Sequence, residues 1–196
     1  MKRIAKFHKV SLEQFKKDWI DTFGLDEEAN IEEIYENIKL PRRATAGSAG
    51  YDFFAPVRLI LEPGETLKIP TGIRVEMDPE WVLKCYPRSG LGFKYRLQLN
   101  NTVGIIDSDY FYSDNEGHMF SKITNDTNEE KTIDIAQGEG FMQGIFVEYG
   151  ITVDDDVTDV RNGGFGSTKP YRIVSKFKKN VRKYYGRIQL NSIYWT

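Results

Sequence analysis

The stretch Leu59-Ile-Leu-Glu-Pro-Gly-Glu-Thr-Leu-Lys-Ile-Pro-Thr-Gly-Ile-Arg-Val-Glu-Met-Asp-Pro-Glu-Trp-Val-Leu-Lys-Cys-Tyr86 decides the fold class of this chain. It contains four short runs rich in aliphatic and β-branched residues, at 59–61, 66–69, 73–77 and 81–86. Turn sequences separate the runs. In Glu62-Pro-Gly-Glu65 and Asp78-Pro-Glu80 a proline, which fixes φ, stands next to residues that favour turns. Runs of this length and spacing indicate an all-β sandwich or barrel rather than alternating strands and helices.

The residues on either side of this stretch extend the pattern toward the C-terminus and change it toward the N-terminus. Further β-rich runs lie at 97–99, 132–135 and 145–147. Upstream, Ser11-Leu-Glu-Gln14 is a capping box, and apolar residues follow at helical spacing as far as Gly24. A second helical pattern, over 31–38, stops before Pro41. We predict a helical addition over residues 1–37 and a β core over residues 38–150.

Length and composition fit one domain with additions. The chain has 196 residues, of which 40% are hydrophobic, enough for one sizeable core. It has a single cysteine, Cys85, and no apolar run near the roughly 20 residues that cross a bilayer. Residues 1–10 lack the continuous apolar region of a secretory signal. We therefore expect a cytoplasmic protein with no membrane partner.

The charged residues are unevenly distributed. The net charge is −2, but residues 169–196 contain eight Lys or Arg and no Asp or Glu, so the remaining residues have a net charge near −10. An acidic body binds nucleic acid poorly, because affinity for duplexes comes largely from neutralised phosphates, and we expect no nucleic-acid partner. The basic tail, 169–196, has no assigned role: it is an extension of the protein, a remnant of a fusion, or read-through into unrelated sequence.

Common nucleotide-binding and metal-binding motifs are absent from the sequence. There is no P-loop, no dinucleotide fingerprint after a strand and no Cys/His cluster for zinc. The chain instead has five short segments in which small residues flank a charged group. They are Ala46-Gly-Ser-Ala-Gly-Tyr-Asp52, Pro87-Arg-Ser-Gly-Leu-Gly-Phe-Lys94, Asn101-Thr-Val-Gly-Ile-Ile-Asp-Ser-Asp-Tyr110, Gly138-Glu-Gly-Phe-Met-Gln143 and Arg161-Asn-Gly-Gly-Phe-Gly-Ser-Thr168.

This set, in this order, resembles the five motifs of the trimeric dUTPase family over roughly residues 38–168. The resemblance implies a mainly β, jelly-roll-like domain in a homotrimer whose active sites take segments from all three subunits. It also implies a Mg²⁺-dependent enzyme with dUTP as its substrate. Water attacks the α-phosphate to give dUMP and pyrophosphate, which keeps uracil out of DNA and supplies dUMP for thymidylate synthesis.

The resemblance assigns a role to each site residue. Asp107 is the general base, and Asp52 holds Mg²⁺ through water, which suits an ion that uses one or two carboxylates plus substrate phosphates. The residues implied to bind phosphate are Arg88, Ser89, Gly90, Gln143, Arg161, Ser167 and Thr168. Those implied to bind uracil or deoxyribose are Asn101, Gly104, Ile105, Ile106, Tyr110 and Phe165.

Three of these assignments state how the nucleotide is recognised. Fixed backbone groups of the 101–110 segment pair with uracil and would be left unpaired by cytosine. The ring of Tyr110 leaves no space for a 2′-hydroxyl. Phe165 stacks on uracil from a glycine-rich arm, residues 151–168, that we expect to be mobile and to close over the nucleotide.

Four features depart from the family pattern. Arg161 stands one residue closer to the following glycine pair than usual, which puts its phosphate role in doubt. Gly140 occupies a position where a basic residue is common. Tyr110 is followed by a long segment, 111–118, in place of a short glycine turn. The chain also continues well beyond the arm.

Two other functions stay open on sequence. A dCTP deaminase-like enzyme has a similar fold but uses a glutamate and a different serine-rich second motif, so Asp107 and Pro87-Arg-Ser-Gly90 argue against it. A catalytically weak module that binds dUTP and thereby regulates a protein partner would use the same pocket. The sequence does not separate such a module from a slow enzyme.

Overall fold

A computed structural model describes residues 2–24, 30–163 and 188–189. Its elements, in chain order, are β1 (Ala5–Lys9), α1 (Leu12–Phe23), α2 (Ile31–Glu36), β2 (Arg42–Arg43), β3 (Tyr51–Phe54), β4 (Arg58–Leu61), β5 (Thr66–Pro70), β6 (Ile73–Met77), β7 (Trp81–Pro87), α3 (Ser89–Tyr95), β8 (Leu97–Leu99), β9 (Gly104–Ile106), a 3₁₀ helix (Ser108–Tyr112), β10 (Phe120–Asn125), β11 (Ile133–Ile135), β12 (Gly140–Glu148) and β13 (Ile188–Gln189).

The strands of the described residues pair antiparallel in four sheets. The largest has the order β2-β3-β12-β7-β9, and the others are β5-β10-β8, β11-β4-β13 and β1-β6. The predicted mainly β fold is confirmed. Side chains from these sheets bury a common core in which Phe53, Leu83, Ile123 and Phe141 are at most 1% exposed. The consecutive strands β4, β5, β6 and β7 belong to four different sheets, and all of them contribute side chains to this core.

The strands from β4 to β7 lie where the sequence predicts them. In β5 and β6 buried and more exposed residues alternate, as expected for strands with one face on the core. Strand β10 is not among the predicted strands, because its residues Phe-Ser-Lys-Ile-Thr-Asn are mostly polar. Its inward-facing positions are nevertheless Ser121, Ile123 and Asn125, all buried. The burial of Asn125 is compensated by hydrogen bonds from its side-chain amide to the Leu61 and Lys131 carbonyls, both at 2.9 Å.

Helix α1 begins and ends as predicted. The Ser11 hydroxyl accepts a hydrogen bond from the Gln14 backbone N–H at 3.1 Å, and Gly24 ends the helix with a φ of 85°. Phe15 and Trp19 bury the apolar face of the helix in the core. The N-terminal 37 residues contain the two predicted helices and one element that was not predicted, because residues 5–9 form β1, which pairs with β6.

The sequence pattern did not predict the strands nearest the two ends of the chain, β1 and β13. Strand β1 has charged residues on both faces, Lys6 and Lys9 among them, so its strand character comes from pairing with β6. Of the basic tail, the structure describes only β13, whose two residues pair with Leu59 and Arg58 of β4. No helix in the described ranges is long and apolar enough to span a membrane.

Candidate active site

A cavity of about 500 Å³ lies where the segment 99–107 meets the start of β10. Its origin is topological: β8 pairs with β10, whereas β9 pairs with β7 in a different sheet. The turn over residues 100–103 therefore crosses from one sheet to another and leaves a space between them. Predicted residues on its wall are Asn101, Gly104, Ile105, Ile106, Asp107, Tyr110 and Arg161.

The turn that opens the cavity has a defined backbone. Thr102, with a φ of 65°, donates its N–H to the Leu99 carbonyl at 2.8 Å, and the Val103 N–H donates to the Asn101 carbonyl at 2.7 Å. After the turn, Gly104 lies against Cys85, where a β-carbon at position 104 would be 3.1 Å from the Cys85 Cβ. A side chain at position 104 would therefore make a tight contact with Cys85 and push β9 and β7 apart by a few tenths of an ångström. Ile105 is 52% exposed, and β9 is an edge strand, so one side of its backbone has no strand partner in this sheet.

Tyr110 is buried on the cavity wall with both hydrogen-bonding functions of its hydroxyl in use. The hydroxyl donates to the His118 carbonyl at 2.7 Å and accepts from the Asn115 side chain at 2.9 Å. Burial raises the pKa of Tyr110 above its ordinary value, so this hydroxyl stays protonated at neutral pH. The ring is thus fixed at both its backbone and its polar end.

Asp107 follows β9 directly and forms an ion pair with Arg161. An Arg161 Nη2–Asp107 Oδ2 distance of 2.5 Å and an Arg161 Nε–Asp109 Oδ1 distance of 2.8 Å place one guanidinium across two carboxylates. The Asn162 side-chain nitrogen donates to the Asp114 carboxylate when the amide is oriented to satisfy its own oxygen and nitrogen. Residues 161–162 of the arm are therefore held against their own chain, and Arg161 must leave the Asp107 and Asp109 carboxylates before it can bind a phosphate.

A second group of predicted residues lies at the far end of the five-stranded sheet. Gln143 of β12 is in register with Asp52 of β3 on one side and with Tyr86 of β7 on the other. The Arg88 Nε lies 3.2 Å from Asp52 Oδ1, and the Gln143 side chain donates to the Pro87 carbonyl at 3.3 Å. Ser89 and Gly90 are exposed at the start of α3 beside this group.

Gly140, the departure in the fourth motif, has a steric reason. A β-carbon at position 140 would be 2.9 Å from Arg88 Nη1 and 3.3 Å from its Cζ. The Gly140 carbonyl also accepts a hydrogen bond from Arg88 Nη1 at 3.3 Å. The missing side chain therefore leaves room for the guanidinium that faces Asp52.

The two groups of site residues are far apart on one chain. Ile106 pairs with Leu83, and continuing that register places Asp107 at the level of Val82 in β7. Arg88 follows six residues further along β7, and at about 3.3 Å per residue the backbones of Asp107 and Arg88 are about 20 Å apart. An aspartate and an arginine side chain cannot span this distance to hold one phosphate between them.

Some predicted site residues lie outside the described part of the chain, and some cavity residues were not predicted. Phe165, Ser167 and Thr168 are outside the described residues. Cavity residues that were not among the predicted site residues are Lys68, Cys85, Leu99, Asn100, Val103, Met119, Phe120, Ser121, Lys122 and Met142. Most of them are on strands whose neighbours only the sheet order reveals.

The described residues contain a candidate Mg²⁺ ligand in Asp52 rather than a complete metal centre. Within the described residues, no group of three or more His, Cys, Asp or Glu side chains could hold a metal ion alone. Asp52 is a single, partly buried carboxylate with a guanidinium beside it. This donor set fits a Mg²⁺ ion that takes most of its ligands from water and substrate phosphates.

Comparison with known proteins decides the family. The sequence model of the dUTPase family matches residues 36–169, which is more than half of the chain. The chain belongs to the dUTPase family. The deoxyuridine 5′-triphosphate nucleotidohydrolase of Lactococcus lactis subsp. lactis is 43% identical over 139 residues, which are 68% of this chain and 91% of that protein. The enzyme of the same name from Escherichia coli K12 is 40% identical over 141 residues, 68% of this chain and 89% of that protein.

Solved dUTPase structures share the fold. The crystal structure of dUTPase from Streptococcus mutans aligns with a TM-score of 0.55 and 32% identity, covering 74% of this chain and 97% of that one. A mutant dUTPase from phage phi11 of S. aureus, described as coordinating a structural Mg(II) ion, has a TM-score of 0.55 at 20% identity, which supports the fold alone. It covers 80% of this chain and 98% of that one. The jelly-roll-like dUTPase fold predicted from the motifs is confirmed, and the family match begins downstream of α1.

Proposed function

We propose that this member of the dUTPase family is a Mg²⁺-dependent dUTP diphosphatase that works as a homotrimer with active sites shared between subunits. The observation that carries the proposal is the separation of about 20 Å between the backbones of Asp107 and Arg88 along β7. Both residues belong to motifs that one nucleotide must contact. A shared site, with the cavity of one subunit facing Asp52 and Arg88 of another, brings them together.

The cavity is the proposed site for uracil and deoxyribose. Backbone groups next to Gly104 and Ile105, together with the exposed Asn101 side chain, would pair with the edge of uracil. A fixed set of donors and acceptors rejects cytosine, because cytosine would leave buried polar groups unpaired. The ring of Tyr110 would lie against the deoxyribose and limit the room at its 2′ position.

The group around Arg88 is the proposed triphosphate site. Its guanidinium, the Ser89 hydroxyl and the Gly90 N–H are donors in consecutive positions, and charge-assisted bonds to phosphate oxygens are the strong ones. Asp52 would hold Mg²⁺ through water, with Gln143 ordering the polar groups beside it. A bound Mg²⁺ offsets the charge of the triphosphate and orients its oxygens. Asp52 would then exchange its contact with Arg88 for one with the hydrated ion.

Asp107 is the proposed general base. Arg161 occupies its Oδ2 in this structure. Once Arg161 has moved onto the nucleotide, the Asp107 carboxylate would take a proton from the attacking water as the water adds to the α-phosphate. A positioned base of this kind contributes about 10²- to 10⁴-fold to the rate. Arg161, with Phe165, Ser167 and Thr168 of the arm, would move onto the nucleotide and exclude bulk water. The activity would serve a cytoplasmic nucleotide pool, as the lone Cys85 suggests.

The test is pyrophosphate release, measured nucleotide by nucleotide. Purified protein with Mg²⁺ is expected to release pyrophosphate from dUTP and little from dCTP, dTTP or UTP, because the cavity reads uracil and excludes a 2′-hydroxyl. Equal turnover of the four would contradict the proposed specificity. Release of ammonia from dCTP would indicate a deaminase, and tight dUTP binding without turnover would indicate a regulatory module.

A further inference from the structure

Behind Tyr110 a chain of hydrogen bonds leads from the cavity to helix α1. The Tyr110 hydroxyl bonds the His118 carbonyl and the Asn115 amide, both in the segment that departs from the family pattern. Helix α1 lies upstream of the residues matched by the family, 36–169. The Tyr110 ring, which is predicted to contact the substrate, is therefore supported by segment 111–118 and helix α1. The family resemblance explains neither of them.

The turn that carries Asn115 and His118 is rigidly built. The Asn115 carbonyl accepts from the His118 N–H at 3.0 Å, and its side-chain oxygen accepts from the Gly117 N–H at 3.2 Å. Glu116 and Gly117 both have a positive φ, at 57° and 69°. Two consecutive left-handed residues reverse the chain tightly, so the groups that hold the Tyr110 hydroxyl have little freedom to move.

His118 connects this turn to α1 through a fully buried imidazole. Its Nε2 accepts from the Gly72 N–H at 2.8 Å, so the proton of the neutral ring must be on Nδ1. That nitrogen donates to Asp18 Oδ2 at 2.5 Å, and the Gln14 side chain donates to the same oxygen at 2.8 Å. Burial acts to raise the pKa of Asp18, but the hydrogen bonds from His118 and Gln14 outweigh it and lower that pKa.

The N-cap of α1 grips the same turn at a second point. The Ser11 N–H and hydroxyl donate to the two carboxylate oxygens of Glu116 at 2.8 Å and 2.6 Å. Arg74 lies on the other side of Glu116 at 3.7 Å and donates to the Phe111 carbonyl at 2.7 Å. Helix α1 and the turn are thus joined by two separate sets of polar contacts, one at His118 and one at Glu116.

We propose that Asp18, Asn115 and His118, together the Tyr110 support network, are positioning residues that hold the Tyr110 ring against the sugar and so set the selectivity for dUTP over UTP. The inference rests on the proposed function. A ring held only by packing could retreat when a 2′-hydroxyl enters. The network opposes that retreat, because moving the ring would break two hydrogen bonds of a buried hydroxyl.

The test compares kcat/KM for dUTP and UTP in variants of the intact protein. Asn115→Ala and Tyr110→Phe are each expected to lower the dUTP/UTP selectivity about 3- to 10-fold, the loss that follows from one or two hydrogen bonds. The gain should appear in kcat/KM for UTP, and in Asn115→Ala the kcat for dUTP should change little. The double variant should lose no more selectivity than Tyr110→Phe alone, because both substitutions remove the hydrogen bond between the Asn115 amide and the Tyr110 hydroxyl.

Two controls separate positioning from general destabilisation. Tyr112→Phe makes the same chemical change on an exposed neighbouring ring and should leave the selectivity unchanged. Asp18→Ala should lower the selectivity, whereas Asp18→Asn, which keeps an acceptor oxygen for His118 Nδ1–H, should retain most of it.

The variants test this inference, whereas the wild-type protein tests the proposed function. If folded Asn115→Ala and Tyr110→Phe both keep a selectivity within about twofold of wild type, the support network is structural only and the inference is overturned. If the wild-type protein itself releases no pyrophosphate from dUTP, the proposed function fails, and the inference fails with it.

Discussion

Replacing Gly117 by alanine tests how tightly the 113–118 turn is packed behind Tyr110. A β-carbon at position 117 would be 2.6 Å from the Tyr110 carbonyl oxygen and 2.7 Å from the Phe111 Cα, and Gly117 has a φ of 69°. These neighbours are backbone atoms, so they cannot move aside as the end of a side chain can. The chain offers a matched control in Gly64, which has a φ of 80° but no atom within 4 Å of its would-be β-carbon.

The expected cost follows from these two geometries. A left-handed φ costs an alanine about 1–2 kcal/mol, which both variants suffer. Steric overlap adds about 1–3 kcal/mol at Gly117 alone. Gly64→Ala should therefore lose about 1–2 kcal/mol of unfolding free energy and Gly117→Ala about 2–5 kcal/mol.

Urea unfolding followed by tryptophan fluorescence measures both variants under the same conditions. Because the overlap pushes on the backbone of Tyr110, Gly117→Ala should also reduce the selectivity for dUTP over UTP, and Gly64→Ala should not. Equal losses of stability in the two variants would refute the reasoning that close backbone contact fixes the turn.

Three further predictions concern single side chains. Asp107→Asn should bind dUTP but lose at least about 10²-fold in the rate of pyrophosphate release, measured in a single turnover. The control Asp109→Asn also loses a bond to Arg161 but should keep a rate near that of wild type. Equal losses in the two variants would show that Asp107 is not the general base. Burial raises the pKa of Cys85 to about 12, so at pH 8 iodoacetamide should modify the native thiol far more slowly than the urea-unfolded one, and equal rates would contradict its burial. Burial acts to raise the pKa of Glu116, but hydrogen bonds from Ser11 outweigh it and the folded pKa is lowered. Its stabilisation is therefore complete above the unfolded pKa of about 4.3 and is lost as the pH falls through the lower folded value. Glu116→Gln should accordingly melt below wild type at pH 7 with a gap that closes in acid, and a gap independent of pH would argue against this contribution.

The elements that the sequence predicts correctly are those whose own residues carry a local signal, such as an apolar run or a cap. Strands β4 to β7 carry apolar runs or alternation between turn sequences, and α1 carries its caps within its own sequence. Strand β1 does not, because its pairing with β6 connects residues about seventy positions apart. Strand β10 buries Asn125 against hydrogen-bond partners elsewhere in the chain, the Leu61 and Lys131 carbonyls, which its own sequence does not indicate.

The same distinction holds for the site. The motifs name residues such as Asp52, Arg88 and Asp107, but their separation depends on strand register. The sequence shows Gly140 as an unusual residue, whereas the structure shows the Arg88 side chain that fills the space. The pairing of Asp18 with His118 joins residues 100 positions apart, and no local pattern in the sequence indicates it.

The central claim, that each active site combines Asp107 and Arg88 of different subunits, is tested most directly by mixing inactive variants. Asp107→Asn and Arg88→Ala proteins, each inactive alone, are unfolded together in equal amounts and refolded. In a closed trimer every mixed assembly then contains one site with both native residues, so random mixing should restore about a quarter of wild-type dUTP hydrolysis. If the mixture stays as inactive as its components while wild type recovers after the same treatment, the two residues act within one subunit and the account is wrong.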